Sequence, residues 1–417
     1  MNIREYIQRN WDKTIRYNTQ DNGTLIGLPY PYTVPCCEGH FQEMYYWDTY
    51  FTNAGLLHEG RTEQVKNNID NMCFLIKKYG YMPNGNRTFY LSRSQPPFLS
   101  QMVRELYDRQ PDKNWLIGCY EALETEYEFW QTHRMTPSGL NRYYGTFTPE
   151  DETACCPELC GRFHIEPPQD EETQRSYGRS MYTFAESGWD CNSRMGMEVY
   201  QYNWVDLNSL LYGMEQNMAY FANILQNGQR DYWLHQAQIR AMKMTELMWD
   251  DSIGAFCDYN YEAAETADII SAAMFYPLFV GLCTPEQAAK TVSLLSHLEM
   301  PYGIACCESR EDLYDLQWDY PNGWACLHYI VIHGLLRYGY REDALRIAKK
   351  YVALAEDVFQ KTGQLWEKYN VVTGAVSTAK EYETPAMMGW SAGVFLDCCS
   401  IINKMNYLAS VNTVNIS

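Results

Sequence analysis

"WVDLNSLLYGMEQNMAYFANILQ", residues 204–226, has its apolar side chains at the spacing of one helical face. Residues three or four positions apart lie on the same side of an α-helix, so this pattern predicts a helix that packs on a core. Similar windows occur at 62–79, 115–131, 231–249, 264–282, 285–298, 324–338, 341–359 and 386–403. Strand patterns are weak by comparison. The sequence therefore predicts an all-α protein of about a dozen helices.

Polar connectors that contain Gly or Pro separate these helical windows and hold the unusual residue combinations. Examples are GYMPNGNRTFYLSRSQPP at 80–97, AESGWDCNSR at 185–194 and DLQWDYPNGW at 315–324. Connectors of this kind on a rigid helical scaffold fit a toroid of paired inner and outer helices, with an open solenoid as the alternative. No linker-like or charge-rich stretch divides the chain, so residues 1–417 are expected to form a single domain.

The composition is that of a globular protein, with 46% apolar and 20% charged residues. A net charge of −19 argues against nucleic acid or an anionic membrane surface as a partner. The start of the sequence is polar and no stretch of about 18 apolar residues occurs, which predicts a cytoplasmic protein without a membrane span. The 15 Cys include adjacent pairs that are unsuited to bridging each other, so reduced, buried thiols are expected.

Aromatic residues crowd around two acids in EGHFQEMYYWDTYFTNAGLL, residues 38–57. With 35 Tyr and 12 Trp, the chain holds more rings than a helical core requires. Rings stack on the apolar faces of a sugar, and carboxylates accept hydrogen bonds from its hydroxyls. The stretch favours a site for a small neutral sugar, the alternative being a core helix in which aromatic residues cluster.

Two acids in aromatic connectors are candidates for acid–base chemistry. Hydrolysis of a glycosidic bond needs a carboxylic acid to protonate the leaving oxygen and a carboxylate to activate water or attack carbon. Asp190 follows Gly188 and Trp189, and Glu367 lies in a segment with Trp and Tyr neighbours. Burial beside rings raises a carboxyl pKa toward the working range of an acid. The structural alternatives are a helix N-cap for Asp190 and an exposed pair with Lys368 for Glu367.

Five segments match the motifs of one enzyme family in the family's order. They are EGHFQEMYYWDTY (38–50), PNGNRTFYLSRSQPP (83–97), ESGWDCNSR (186–194), QWDYPNGWA (317–325) and WEKYNV (366–371). The first and fourth resemble the two signatures of the trehalase family of glycoside hydrolases, which has family 63 as a near neighbour. The resemblance covers about residues 30–395 and implies an (α/α)6 barrel that acts as an inverting α-glucosidase on trehalose or a similar disaccharide.

The same resemblance implies roles for individual residues. It makes Asp190 the general acid and Glu367 the general base, and it implies no metal and no cofactor. The residues expected to line the sugar pocket are Phe41, Trp47, Asp48, Asn84, Arg93, Gln95, Glu166, Trp318 and Asp319. For the two Trp, packing inside the barrel is the alternative to stacking on sugar.

Two His residues stand where the family pattern has Arg, namely His40 and His164. Arg offers a planar fork of donors that His does not reproduce. The Gly-rich lid expected before Glu381 and Tyr382 is also missing. These departures predict a changed subsite for the leaving sugar, so another α-glucoside such as glucosylglycerate or an α-linked glucobiose is an alternative substrate.

Two other classes of site remain open from the residues alone. An (α/α)6 sugar epimerase or isomerase would move a proton with His, and the chain has eight His. Cys156, Cys160 and His164 have a spacing that metal ligands can adopt, although no paired motif accompanies them. The matched motifs hold carboxylates rather than His pairs, which favours the hydrolase. The sequence does not indicate the oligomeric state.

Overall fold

The computed structural model describes residues 1–378 and 381–414, and helices dominate this part of the chain. The α-helices are α1 (Ile3–Asn10), α2 (Tyr46–His58), α3 (Thr62–Tyr79), α4 (Leu99–Arg109), α5 (Lys113–His133), α6 (Pro149–Arg162), α7 (Glu171–Ser187), α8 (Val205–Leu225), α9 (Arg230–Leu247), α10 (Tyr276–Val280), α11 (Pro285–Ser293), α12 (Leu295–Leu298), α13 (Ala325–Arg337), α14 (Arg341–Thr362) and α15 (Gly389–Val414). Short 3-10 helices span Trp11–Thr14, Thr88–Tyr90, Val199–Gln201 and Ala272–Phe275.

The strands are two or three residues long and pair antiparallel in small sheets. They are β1 (Ile15–Arg16), β2 (Tyr32–Thr33), β3 (Tyr202–Asn203), β4 (Trp249–Asp250), β5 (Ala255–Phe256), β6 (Tyr259–Asn260), β7 (Glu265–Thr266), β8 (Glu299–Met300), β9 (Gly303–Ile304), β10 (Asn322–Trp324), β11 (Lys368–Asn370) and β12 (Ala375–Val376). All of them lie between helices. The helical window at 264–282 is wrong over most of its length, because it holds β7, a 3-10 helix and only the short helix α10.

Within the described residues, six helices form a closed inner ring. Each contacts the next, and the last contacts the first, in the order α2, α4, α8, α10, α13 and α15. Outer helices pack against this ring: α3 contacts α2 and α4, α5 contacts α4 and α8, α9 contacts α8, and α14 contacts α13 and α15. The predicted all-α (α/α)6 barrel is therefore confirmed, and the open solenoid is not the fold.

Hydrophobic patterning explains which helices lie inside. The inner helix α13 has the sequence ACLHYIVIHGLLR and is buried on nearly every side from Ala325 to Ile332. The outer helix α14 carries charged residues along one face and buries a stripe of Ile, Ala, Leu and Val on the other. A helix that is apolar all round is stable only when other elements surround it.

The ring closes where α2 and α15 pack with almost no side chain between them. A Cβ atom on Gly55 would lie 2.5 Å from the Cα atom of Gly393, and one on Gly393 would lie 2.0 Å from the carbonyl oxygen of Phe51. Both distances are shorter than real carbon contacts, so only Gly fits at either position. This contact brings the connector before α15 next to the first turn of α2.

One hydrophobic core extends through the barrel, from Ile3 in α1 to Cys399 in α15. This continuity agrees with a single domain over residues 1–417, which stays a prediction. The hairpin of α6 and α7 is inserted between α5 and α8, and its helices pack on each other. A capping box, in which Thr148 and Asp151 bond each other's backbone, starts α6.

Away from the acidic connectors, a buried carboxylate joins three members of the ring. Asp397 of α15 bonds His58 of α2 at 2.9 Å and His333 of α13 at 2.7 Å. Burial lowers the pKa of His333, but Asp397 and Glu105 outweigh burial and raise it. Burial likewise opposes ionisation of Asp397, yet His333 and His58 hold its pKa well below the usual range. The group lies in a cavity of about 1030 Å³.

Asp397→Asn should lower the free energy of unfolding by about 3 kcal/mol near pH 6, because the two His lose their shared carboxylate. The raised pKa of His333 means that its contribution is present below its unfolded pKa of about 6.5 and is lost as pH rises through the folded value. The depressed pKa of Asp397 means that its contribution is lost only as pH falls below about 4. Urea unfolding of both proteins at pH 6 and pH 9 should therefore give a larger difference at pH 6. An equal difference at both pH values would contradict the ion-pair account.

Candidate active site

Glu367 is buried at the end of the connector that follows α14, one residue before β11. Its Oε2 accepts a hydrogen bond from the Lys368 ammonium at 2.5 Å. The Tyr382 hydroxyl donates to both carboxyl oxygens, at 2.9 Å and 3.0 Å. Burial raises the pKa of Glu367, whereas Lys368 and Tyr382 oppose that rise. The predicted alternative of an exposed pair is wrong, since Lys368 is completely buried.

Asp190 lies two residues beyond Gly188, the residue that ends α7. Its φ of 44° places it in the left-handed region, which is uncommon for non-Gly residues although Asp adopts it more often than most. Gly188 also has a positive φ, and a Cβ there would lie 2.8 Å from the Trp47 ring. Asp190 is not the N-cap of a helix. The Asp190 side chain is partly exposed, and its Oδ2 accepts a hydrogen bond from Gln317 Nε2 at 3.5 Å.

A third acid, Asp48 on α2, completes an acidic cluster. Burial raises the pKa of Asp48 to about 8, and the charges of Glu367 and Asp190 add to that rise. Burial also raises the pKa of Asp190, against the charges of Arg162, Arg93 and Lys368. The three carboxyls therefore lie near enough to affect one another's ionisation. Such a cluster can supply both a protonated and an ionised carboxyl at neutral pH.

Buried polar contacts hold the Asp190 connector in place. Asp319 accepts hydrogen bonds from Ser193 N at 2.8 Å, Ser193 Oγ at 2.5 Å and Leu316 N at 3.3 Å. Just before the connector, Glu186 forms a bidentate pair with Arg134, at 2.7 Å and 2.8 Å. Glu186 also accepts from Ser94 N at 2.8 Å. These contacts fix Asp190 relative to two other connectors.

Five Trp rings pack together behind the acidic cluster. They are Trp47, Trp189, Trp318, Trp324 and Trp390, and all are buried. Trp318 stacks on Trp324 with ring centres 3.8 Å apart, and it also contacts Trp189 at 5.3 Å and Trp47 at 5.6 Å. Because neighbouring rings surround it, the packing alternative describes Trp318 better than stacking on sugar. Trp47 is also enclosed, although it precedes Asp48 directly.

The structure brings most of the other predicted pocket residues to the same region. Asn84 donates to Ala185 O at 3.2 Å, and Gln95 accepts from Trp47 N at 3.2 Å. Arg93 stacks over Tyr90, and its Nε has no hydrogen-bond partner among the described residues. Phe41, at a φ of 50°, packs edge-on against Tyr45 at 5.7 Å.

Glu166 stands apart from this group. It is exposed on the segment after α6, and among the described residues no hydrogen bond or ion pair joins it to the three acids. His164 on the same segment is exposed as well, and so is His40.

The candidate metal ligands do not converge on one point. The Sγ atoms of Cys156 and Cys160 are buried 3.8 Å apart, whereas His164 is exposed. The described residues contain no group of three or more ligand side chains that could hold a metal.

Four charged or polar groups of the site were not predicted from the sequence as functional residues. Arg162, the last residue of α6, bonds Glu381 at 3.1 Å, and Glu381 also accepts from Gln317 N at 2.8 Å. Lys368 and Tyr382 contact Glu367, as described above. Arg162 lies two positions from His164 and supplies a cation near Asp190. The expected loss of charge at His164 stays a prediction. For Glu381 and Tyr382, the sequence held a signal, because this Glu-Tyr pair of the family pattern is retained.

The chain is similar over most of its length to known trehalases. The Trehalase family model matches residues 2–403. A periplasmic trehalase of Xanthomonas oryzae pv. oryzae is 34% identical over 94% of this chain and 72% of its own length. The solved neutral trehalase Nth1 of Saccharomyces cerevisiae superposes with a TM-score of 0.77 at 27% identity, covering 97% of this chain and 81% of that one.

A more distant structure shares the fold alone. The GH63 mannosylglycerate hydrolase of Thermus thermophilus superposes with a TM-score of 0.65 at 18% identity, covering 94% of this chain and 99% of that one. This likeness supports the (α/α)6 architecture.

The comparisons contradict the predicted cytoplasmic location, because bacterial relatives from Xanthomonas and Escherichia coli are named periplasmic trehalases. The reduced, buried thiols expected from the sequence do not identify the cellular compartment. The Cys are free and most are buried, and burial raises the pKa of thiols such as Cys36 and Cys306. Inert thiols of this kind persist in oxidising and reducing surroundings alike. No helix among the described residues is both long and apolar enough to cross a membrane.

The family model spans nearly the whole chain, and the relatives match it over more than nine-tenths of its length. The match includes the connectors that carry the acidic cluster. The chain belongs to the trehalase family and is a glycoside hydrolase.

Proposed function

We propose that this enzyme hydrolyses α,α-trehalose with inversion, using Asp190 as general acid and Glu367 as general base. The observation that carries the proposal is the difference between the partners of two neighbouring carboxyls, whose pKa values are both raised by burial. Asp190 lies in a left-handed turn with a raised pKa and a partly exposed face. Glu367 is bound by an ammonium and a hydroxyl that favour its ionised form. One group can give a proton while the other takes one.

In the proposed reaction, Asp190 gives its proton to the glycosidic oxygen as the bond to the anomeric carbon breaks. Glu367 takes a proton from a water molecule whose oxygen attacks the same carbon from the opposite face. The products are two glucose molecules, and the proton on Glu367 returns to Asp190 through solvent. Asp190 must stay protonated at neutral pH, which agrees with the direction of its pKa shift.

The neighbouring polar groups are proposed to bind the sugar whose bond is cleaved. Burial raises the pKa of Asp48 to about 8, and its protonated form can donate to a sugar hydroxyl. Asn84, Gln95, Arg93 and Phe41 lie on segments that contact α2 or the end of α7, and they are proposed as further contacts. Trp47 and Trp318 support these groups from behind, and sugar binding by Glu166 stays a prediction.

A second candidate substrate is another small α-glucoside, and one observation favours it. His40 is exposed at a position where the family pattern has Arg, so one fixed cation is absent from the leaving-sugar side. Arg162 still supplies a cation near Asp190, which favours trehalose. A sugar epimerase is disfavoured because no His among the described residues contacts Asp190 or Glu367, while His328 is occupied by Ile304 N and Trp324 O.

Asp190→Asn and Glu367→Gln should each lower kcat on trehalose at least about a hundredfold, since each removes one proton-transfer group. Both variants should keep the circular dichroism spectrum of the parent protein. Matched controls are Asp231→Asn and Glu121→Gln, which change exposed acids on outer helices. Near-normal turnover in either active-site variant would remove that residue from its proposed role.

Among trehalose, kojibiose, nigerose, maltose, isomaltose, sucrose and glucosylglycerate, trehalose should have the highest kcat/KM. The physical reason is that Arg162, Arg93 and Glu381 keep charged donors and acceptors around Asp190. Initial rates of glucose release at several substrate concentrations measure the comparison. A higher kcat/KM for any other member of the panel would establish the second candidate instead.

Asp319→Asn should lower kcat about tenfold or more and lower the melting temperature, with little change in KM, because it loosens the connector that carries Asp190. The amide keeps one acceptor and places N–H groups where a second acceptor is needed. Steady-state kinetics and thermal unfolding measure the two effects. A large rise in KM at unchanged kcat would instead support direct sugar binding by Asp319.

A further inference from the structure

Lys368 is a completely buried ammonium with an unusual geometry. Side chains of adjacent residues in an extended segment point to opposite sides, yet the Lys368 side chain returns to the carboxylate of its own neighbour, Glu367, at 2.5 Å. Burying a cation is costly unless it is paired and held by further contacts. The position therefore needs an explanation beyond packing.

Two aromatic rings enclose the ammonium in addition to the carboxylate. Nζ lies 4.1 Å from the ring centre of Tyr382 and 4.9 Å from that of Trp324. The face of an aromatic ring attracts a cation, and the attraction is stronger where water is excluded. The hydroxyl of the same Tyr382 donates to both oxygens of Glu367. Lys368, Tyr382 and Glu367 thus form one connected unit.

The groups that face Glu367 mostly disfavour its charge. Asp48 on α2 and Asp190 beyond α7 add negative charge near Glu367. The thiols of Cys36 and Cys326 are also near, since the charge of Glu367 helps to raise their pKa. Burial acts in the same direction. Lys368 and the Tyr382 hydroxyl are the groups that oppose these effects at Glu367. Without the ammonium, the carboxyl would retain its proton to a higher pH.

We propose that Lys368 is a positioning residue that keeps Glu367 ionised and correctly oriented, so that Glu367 can accept the proton of the attacking water at neutral pH. This inference rests on the proposed role of Glu367. It assigns to Lys368 a charge effect on the base rather than a contact with sugar.

The test is the pH profile of kcat/KM on trehalose for Lys368→Met. The acidic limb of such a profile reports the ionisation of the base in the free enzyme. That limb should move upward by at least about one pH unit, so that activity near pH 6 falls about tenfold or more and recovers in part at higher pH. KM should change little.

Three further variants sharpen the result. Lys368→Arg keeps the charge and should restore the acidic limb, whereas Lys368→Gln supplies a hydrogen bond without charge and should show the same upward shift as Met. Lys66→Met is the matched control, since Lys66 pairs with Asp70 at 2.6 Å beside the Trp115 ring on the outer helices. It should leave the profile unchanged.

A loss of activity that is equal at every pH, or no loss, would overturn the proposal. So would a failure of both neutral variants to fold while Lys368→Arg remains active, because the charge would then serve stability. Glu367→Gln separates this inference from the proposed function. If that variant stays active, the assignment of the base is wrong. If it is inactive and the acidic limb of Lys368→Met is unmoved, only the role of Lys368 fails.

Discussion

The close packing of α2 on α15 is the constraint on which the rest of the structure depends. Gly55 and Gly393 leave room for the two backbones to touch, and this contact closes the ring of inner helices. Asp48 lies in the first turns of α2, and Glu367 lies in the connector that enters α15. Closure of the ring therefore brings together two acids that are more than three hundred positions apart in the sequence.

Burial of several carboxyls at one place would be unfavourable without compensation. Arg162, Arg93 and Lys368 supply positive charge, and Tyr382 supplies a hydroxyl donor. The compensation is uneven, since Lys368 bonds Glu367 directly while the Arg residues act on Asp190 from a greater distance. Burial raises the pKa of both Asp190 and Glu367, and the direct contacts of Lys368 and Tyr382 favour the ionised form of Glu367.

Much of the fold could be predicted from the sequence, because apolar residues at helical spacing mark both inner and outer helices. Asp190 and Glu367 were found because acids beside Trp and Gly in a connector are rare. Arg162 was missed because a cation in the last turn of a helix is ordinary, and only the tertiary fold turns it toward Glu381. Lys368 looked like a surface partner, since its burial comes from Trp324 and Tyr382, which are distant in sequence. Trp318 and Asp319 belong to a family motif and were predicted to bind sugar, but Trp318 packs on other Trp rings and Asp319 bonds Ser193 and Leu316.

The anomeric form of the released glucose tests the account's central claim, that Asp190 and Glu367 act as acid and base on opposite sides of the bond. Proton NMR of the first minutes of trehalose hydrolysis measures it directly. Inversion at the attacked carbon predicts equal initial amounts of β-glucose and α-glucose, because the leaving sugar keeps its configuration. Release of α-glucose alone would mean retention, and Glu367 would then be a nucleophile rather than a base.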